Sequence, residues 1–309
     1  MRDDAAPGPL THASVFGARE SQRPSRPGLL TSPELTMLAR LDLAQRRLVP
    51  GLNAGERRSP RTARSAEFAD FRPYSVGDDF RQIDWRAYAR LERLMLRLYV
   101  AEDETALNVV VDTSASMGLG KMDAARRLAA AVAFLGLGAM DRVGLGTLAG
   151  AVLPHVRGAA ATGRVESFLE RLEHGGASSP SDALRLRWTR PGVTVVISDF
   201  LVEGDWSEAC AAMRRHREQP VLWQVLAPEE ENPGLRGDYR LVDIESAGSH
   251  EITITPALVL DYLVALDTLR ERLSRAASGA RGRFVHSRAS DTLEEAMLAG
   301  MRAGAIVRA

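Results

Sequence analysis

The chain has 309 residues, of which 45% are apolar and 26% charged. These values lie close to the globular averages of about 45–50% and 25%, so a sizeable core is available and wholesale disorder is excluded. Forty basic and forty acidic residues cancel to a formal charge of zero, which argues against a chain that works on nucleic acid or an anionic bilayer, since those carry a basic excess. A single cysteine, Cys210, excludes an internal disulfide and a multi-thiolate metal centre. Mean hydropathy is −0.15, and no uncharged apolar run approaches the ~20 residues of a membrane span. Met1-Arg2-Asp3-Asp4 leads into no apolar segment of the kind a secretory signal needs. The expectation is a cytoplasmic protein without a membrane span, with roughly two domains or one domain and an extension for its length.

Residues 1–34 hold five of the fifteen prolines (Pro7, Pro9, Pro24, Pro27, Pro33) among Gly, Ser and Arg. They lack apolar periodicity and are expected to be a disordered tail. Leu35, Leu38, Leu41 and Leu48 predict a helix over 34–48. The basic stretch Arg57, Arg58, Arg61, Arg64 reads as a solvated loop. From Leu107 the pattern becomes a succession of βαβ units. Leu107–Val111 is a β-branched run of the sort buried in a parallel sheet, and Asp123–Met140 is a deep helix. Arg142–Thr147 and Ala151–Val156 read as a strand pair turning near Gly150. Val165, Phe168, Leu169 and Leu172 mark an amphipathic helix.

Gly192–Ile197 and Val221–Leu226 are further strands, separated by a helix opened by Asp205 and Glu208 in a capping-box pattern. Leu241–Ile244 and Glu251–Ile254 suggest a hairpin around Gly248. Thr255 and Pro256 open a helix bearing Leu258, Tyr262, Leu266, Leu269 and Leu273. Arg283–His286 is a last strand, and Asp291 with Glu294 is expected to cap the final helix. Lys121 is the only lysine; codon bias explains the preference for arginine most simply. This alternation predicts an α/β fold, a doubly wound and mainly parallel sheet, with 35–105 as an N-terminal extension packed on a domain spanning 106–309.

In such sheets ligands gather outside the carboxyl ends of the strands, near a topological switch point. There stands Asp112-Thr113-Ser114-Ala115-Ser116, a carboxylate followed at two-residue steps by two hydroxyls. A second carboxylate, Asp199, ends Val195-Val196-Ile197-Ser198-Asp199, and Gly175-Gly176-Ala177-Ser178-Ser179 offers hydroxyls between them. Hard oxygens of this kind suit Mg²⁺. The arrangement resembles the metal-ion-dependent adhesion site of von Willebrand factor A domains, a Rossmann-type fold. Asp112, Ser114, Ser116 and Asp199 match that motif. Its middle-loop threonine maps by spacing to Ser178, six residues before Leu184, with Ser179 a competitor. A further segment, Glu67–Trp85 continuing through Ala89-Arg90, Leu94, Arg97 and Glu102, is similar to the signature of the bacterial family DUF58. The aromatic residues Phe68, Phe71, Tyr74, Ile83 and Trp85 suit packing on a sheet edge. Arg72, Asp78, Asp79, Arg81, Asp84 and Arg90 suit an ion-pair network, read as a brace or a docking surface.

What the resemblance implies is a non-enzymatic interaction module. Mg²⁺, with Mn²⁺ or Ca²⁺ as substitutes, would be held by Asp112, Ser114, Ser116 and Ser178, with Asp199 acting through water. A partner carboxylate would complete the coordination, and the partner would be a MoxR-type AAA+ ATPase or its client. The alternative is a metal-dependent hydrolase using the same strand-end site. Against catalysis, the second Asp of a haloacid-dehalogenase phosphatase is replaced by Ser114. Neither a Gly-x-Ser-x-Gly elbow nor a phosphate-binding Gly-x-x-x-x-Gly-Lys loop is present, and the six histidines show no ligand spacing. Nucleic-acid binding through Arg57–Arg64 is disfavoured by the zero net charge.

Overall fold

The computed structural model describes residues 28–48, 66–73, 83, 84, 88, 93–101, 106–183, 185, 186, 188–190, 192–201, 204–242 and 249–305. The basic stretch, most of the family signature with its proposed aromatic packing and ion-pair network, and the Gly248 turn lie outside these residues. Helix α1 (Ser32–Leu48) is followed by β1 (Ala66–Pro73) and β2 (Met95–Ala101), an antiparallel pair. Then come β3 (Ala106–Val111), α2 (Lys121–Gly138), β4 (Arg142–Thr147), β5 (Val152–Arg157) and α3 (Thr162–Glu170). The single turn α4 (Pro180–Ala183) precedes β6 (Gly192–Ser198), α5 (Trp206–Arg215), β7 (Gln219–Leu226) and the turn α6 (Pro228–Glu231). The antiparallel hairpin β8 (Gly237–Val242) and β9 (Ser249–Ile254) leads into α7 (Pro256–Gly279), β10 (Arg283–Arg288) and α8 (Leu293–Arg302).

Six strands form one sheet in the order β10-β7-β6-β3-β4-β5, parallel except for the β4–β5 hairpin. The strand period of two splits its apolar residues between two layers. Val109, Val111, Val195, Ile197, Val221 and Trp223 face a core shared with α1, α2, α3 and α8. Val110, Val196 and Leu222 face a second core with Trp206, Cys210 and Met213 of α5 and Leu273 and Ala277 of α7. Burial pushes the Cys210 thiol up to about 12, so it behaves as a small apolar group. The fold is thus mixed α/β, with a mostly parallel sheet flanked by helices on both faces. The chain already enters the core at Leu30, which is buried, and Glu34 of α1 pairs with Arg127 of α2.

Helix ends follow local chemistry, with two departures from expectation. Helix α2 starts at Lys121 rather than Asp123 because Gly120, at φ +78°, supplies the left-handed N-cap that an L side chain resists. The cap of α8 is Thr292 with Glu295, one residue on from Asp291 and Glu294. Thr292 Oγ1 accepts from Glu295 N while Glu295 accepts from Thr292 N, and Asp291 instead accepts from Arg288 N. Thr255 caps α7 by accepting from Leu258 N, and Asp205 caps α5 by accepting from Ser207 N.

A polar chain crosses the sheet on the side away from α2. Asn108 of β3 donates to Thr194 of β6 at 3.2 Å, and Thr194 donates to Glu218 at 2.5 Å. On the same face, toward β5, His155 bonds Asn108 Oδ1 at 2.8 Å and Thr189 at 3.1 Å. His155 reaches over β4 because its register neighbour of Asn108 is Gly144, where a Cβ would stand 2.9 Å from the Trp188 ring and 3.1 Å from the His155 ring. Since Asn108 Oδ1 only accepts, His155 Nε2 carries the proton.

Gly144→Ala is expected to displace both rings and lower stability by about 1–3 kcal/mol, read by denaturant unfolding. Burial, with Arg142 and Arg190 nearby, lowers the His155 pKa below its ordinary 6.5. Between that folded value and 6.5 the unfolded chain binds more protons, so stability falls as pH falls through this window. Melting temperature should therefore depend less on pH below 6.5 in His155→Gln than in wild type.

Candidate functional site

Strand β3 runs on to β4 on one side and pairs with β6 on the other, so its carboxyl end is a switch point of the sheet. Asp112 follows β3 directly, and its amide donates to Ile197 O at 2.9 Å, which seats it between the two strand ends. The chain then turns through a short 3₁₀ segment, Ala115–Met117. Two backbone bonds, Ala115 N to Gly176 O and Gly175 N to Thr113 O, each 2.8 Å, clamp the middle loop against this turn. Four of the five expected oxygen-bearing residues meet here. Asp112 Oδ1 accepts from Ser114 N at 2.8 Å and from Ser178 Oγ at 3.0 Å, and the Ser114 and Ser116 hydroxyls lie 2.9 Å apart. Asp112 and Ser114 are essentially inaccessible and Ser178 is buried. Of the two middle-loop hydroxyls, that of Ser178 bonds Asp112, whereas that of Ser179 bonds Asp182 and Ser181.

Asp199 stands at the neighbouring strand end, but its carboxylate bonds run elsewhere. Its Oδ2 accepts from Lys121 Nζ at 2.8 Å and its Oδ1 from Leu201 N at 3.1 Å. The residue that β6 does contribute to Asp112 is Ser198, whose hydroxyl donates to Asp112 Oδ2 at 2.6 Å and accepts from Phe200 N at 2.9 Å. Phe200 adopts φ +57°, uncommon for a side-chain-bearing residue, and is held there edge-on to Trp206 with ring centres 4.8 Å apart. This turn fans successive backbone amides around Ser198 and Asp199.

Beyond Asp199 the network continues. Lys121 also pairs with Glu230 of α6, whose other oxygen accepts from Ala227 N at 2.8 Å. Tyr262 donates to Glu230 O at 2.7 Å, and burial beside that carboxylate raises its pKa. Gln224 donates to Asp199 O at 2.9 Å and accepts from Arg270 Nε at 3.2 Å. Glu231 gathers Arg270, His286 and Arg288; burial acts to raise its pKa, but those partners hold it below the ordinary value. A cavity of about 710 Å³ opens beside that outer cluster, lined by Glu229, Asn232, Leu263, Arg270 and Arg288 among others.

The donor set at Asp112, one carboxylate ringed by hydroxyls, fits a hard divalent cation better than a soft one. Among the described residues no group of three or more His, Cys, Asp or Glu is placed to hold a metal, so a cation here would rest on serine oxygens around one acid. Reading the sequence missed Ser198, Lys121 and Glu230. The one available signal was that Lys121 is the only lysine.

The fold and this crevice define a mixed α/β protein with an oxygen-rich site at the switch point of a mostly parallel sheet. The chain belongs to the family described as "Protein of unknown function DUF58", whose model matches residues 70–272. It is 30% identical over 267 residues to the uncharacterized protein Mb1516 of Mycobacterium bovis, covering 82% of this chain and 84% of that one. Among solved structures it is similar to the conserved hypothetical protein BatB from Bacteroides thetaiotaomicron, at 17% identity and a TM-score of 0.38, over 62% of this chain and 95% of that one. It is also similar to an aerotolerance-related membrane protein from Bacteroides fragilis, at 18% identity and a TM-score of 0.40, over 64% and 98%. The cytoplasmic location expected from composition is not retained; the Bacteroides fragilis protein is described as a membrane protein, which is said of that protein. The physical reason is that hydropathy reports spans, not location. Among the described residues no helix is long and apolar enough to cross a membrane.

Ser198→Ala leaves Asp112 Oδ2 and Phe200 N each without this buried partner. It is expected to lower stability by about 1–3 kcal/mol in denaturant unfolding without changing the secondary structure seen by circular dichroism.

Proposed function

We propose that the chain is a von Willebrand A-like interaction module that binds a partner protein through a divalent cation, with a MoxR-type AAA+ ATPase or its client as the partner. The observation that carries this reading is the convergence of Asp112, Ser114, Ser116 and Ser178 at the switch point, linked by contacts of 2.8–3.0 Å. These residues would hold Mg²⁺, with Mn²⁺ or Ca²⁺ as substitutes, and Asp199 would contribute charge from the adjoining strand end. When bound, the cation supplies a Lewis-acidic vertex for a carboxylate of the partner. Asp112 anchors the site because both of its oxygens are already oriented by fixed donors, so little ordering is left for binding to impose. Serine hydroxyls orient a cation without cancelling its charge, which leaves attraction for an incoming acid.

Mg²⁺ at a hundredfold excess over its Kd should stabilise wild type by about 2.7 kcal/mol, seen as a higher melting temperature. Asp112→Ala should show no such rise. A purified MoxR-type ATPase should be retained by wild type in Mg²⁺ and released by chelator. Equal metal-induced shifts in wild type and Asp112→Ala would overturn the site.

A further inference from the structure

Lys121, the first residue of α2, is fully buried. Its ammonium bonds two carboxylates, Asp199 at 2.8 Å and Glu230. Asp199 is also fully buried, whereas the Glu230 side chain keeps 18% of its exposure. A buried ammonium persists only where anions surround it, and here one of them is a residue the metal reading needs. Lys121 thus already occupies the place of a positive neighbour to Asp199.

We infer that Lys121 is a built-in counter-cation that competes with the divalent metal for Asp199 and so sets the metal affinity of the crevice. The inference rests on the metal reading given above. Asp112, Asp199 and Glu230 bring three negative charges and Lys121 one positive charge. A divalent cation beside Asp112 would therefore bring the group to neutrality, but it would also repel the ammonium, and burial of Asp112, Asp199 and Lys121 limits solvent screening between them. Glu230 gives that ammonium a second anion within reach, on the partly exposed side. Glu230 cannot easily follow the ammonium, because Ala227 N holds its other oxygen and Tyr262 holds its carbonyl. Metal entry and the Lys121–Asp199 bond are thus mutually weakening, while Glu230 eases the exchange. Lys121 is a positioning residue, since it acts through Asp199.

The test is calorimetric titration of Mg²⁺ and Mn²⁺ into the full chain, with melting curves alongside, for wild type, Lys121→Met and Glu230→Gln. Lys121→Met should melt lower without metal, because two carboxylates lose their counter-charge, yet bind Mg²⁺ at least about tenfold more tightly. That factor of ten corresponds to about 1.4 kcal/mol. Glu230→Gln leaves the ammonium to Asp199 alone and should weaken Mg²⁺ binding severalfold. A lysine that is only a structural strut would lower stability without tightening metal binding. Unchanged or weaker binding in Lys121→Met overturns the inference while leaving the metal reading intact. If that variant does not fold, unchanged or tighter binding in Glu230→Gln overturns it. Absence of binding in wild type and both variants overturns the metal reading and this inference together.

Discussion

The parallel pairing of β3 with β6 is the constraint on which the rest of this molecule depends. It sets Val111 beside Ile197, so the two strands end together and their next residues, Asp112 and then Ser198 and Asp199, emerge into one crevice. Because both strands are buried on both faces, a one-residue slip would turn valines and isoleucine out of their layers and move every polar group at the strand ends. The hydrophobic effect thereby fixes the position of the acids at the strand ends.

The crevice shows how a fold tolerates buried charge. Asp112 is satisfied by a backbone amide and two serine hydroxyls; Asp199 is satisfied by an ammonium and an amide. The two acids lie on adjoining strand ends but are handled by different chemistry, one by neutral donors and one by an ion pair. Neutral donors give Asp112 no counter-charge, whereas Asp199 has one in Lys121. The ion pair also joins α2, β6 and α6, three elements far apart in the chain. From α6 the polar contacts pass through Glu231 to Arg270 of α7 and His286 and Arg288 of β10. The strand-end crevice and the outer cluster therefore share one short turn, with Glu230 serving one and Glu231 the other.

Much of this was legible along the chain. The β-branched runs of β3 and β6, the apolar face of α2, and Thr255 with Pro256 at the start of α7 announce themselves by local propensity and periodicity, and each is where those signals put it. Asp112, Ser114 and Ser116 were legible because their two-residue spacing lies within one turn. Ser178 was found by its distance from flanking landmarks, but only the loop's backbone clamp to Thr113 and Ala115 separates it from Ser179. The cap of α8 shifted by one residue because adjacent acids offer the same pattern, and it is the Thr292 hydroxyl that accepts from Glu295 N.

What the sequence determined by itself was the class of fold and the chemistry of the strand ends, since both follow from residue type and spacing over fewer than ten positions. What only the tertiary structure decided was which groups pair across the crevice. Ser198, Lys121 and Glu230 lie 86, 78 and 109 residues from the partners given to them by hydrogen bonds. No local pattern encodes such pairs; they exist because burying the sheet brings strand and helix ends together, and a buried charge there must find a partner wherever the chain supplies one.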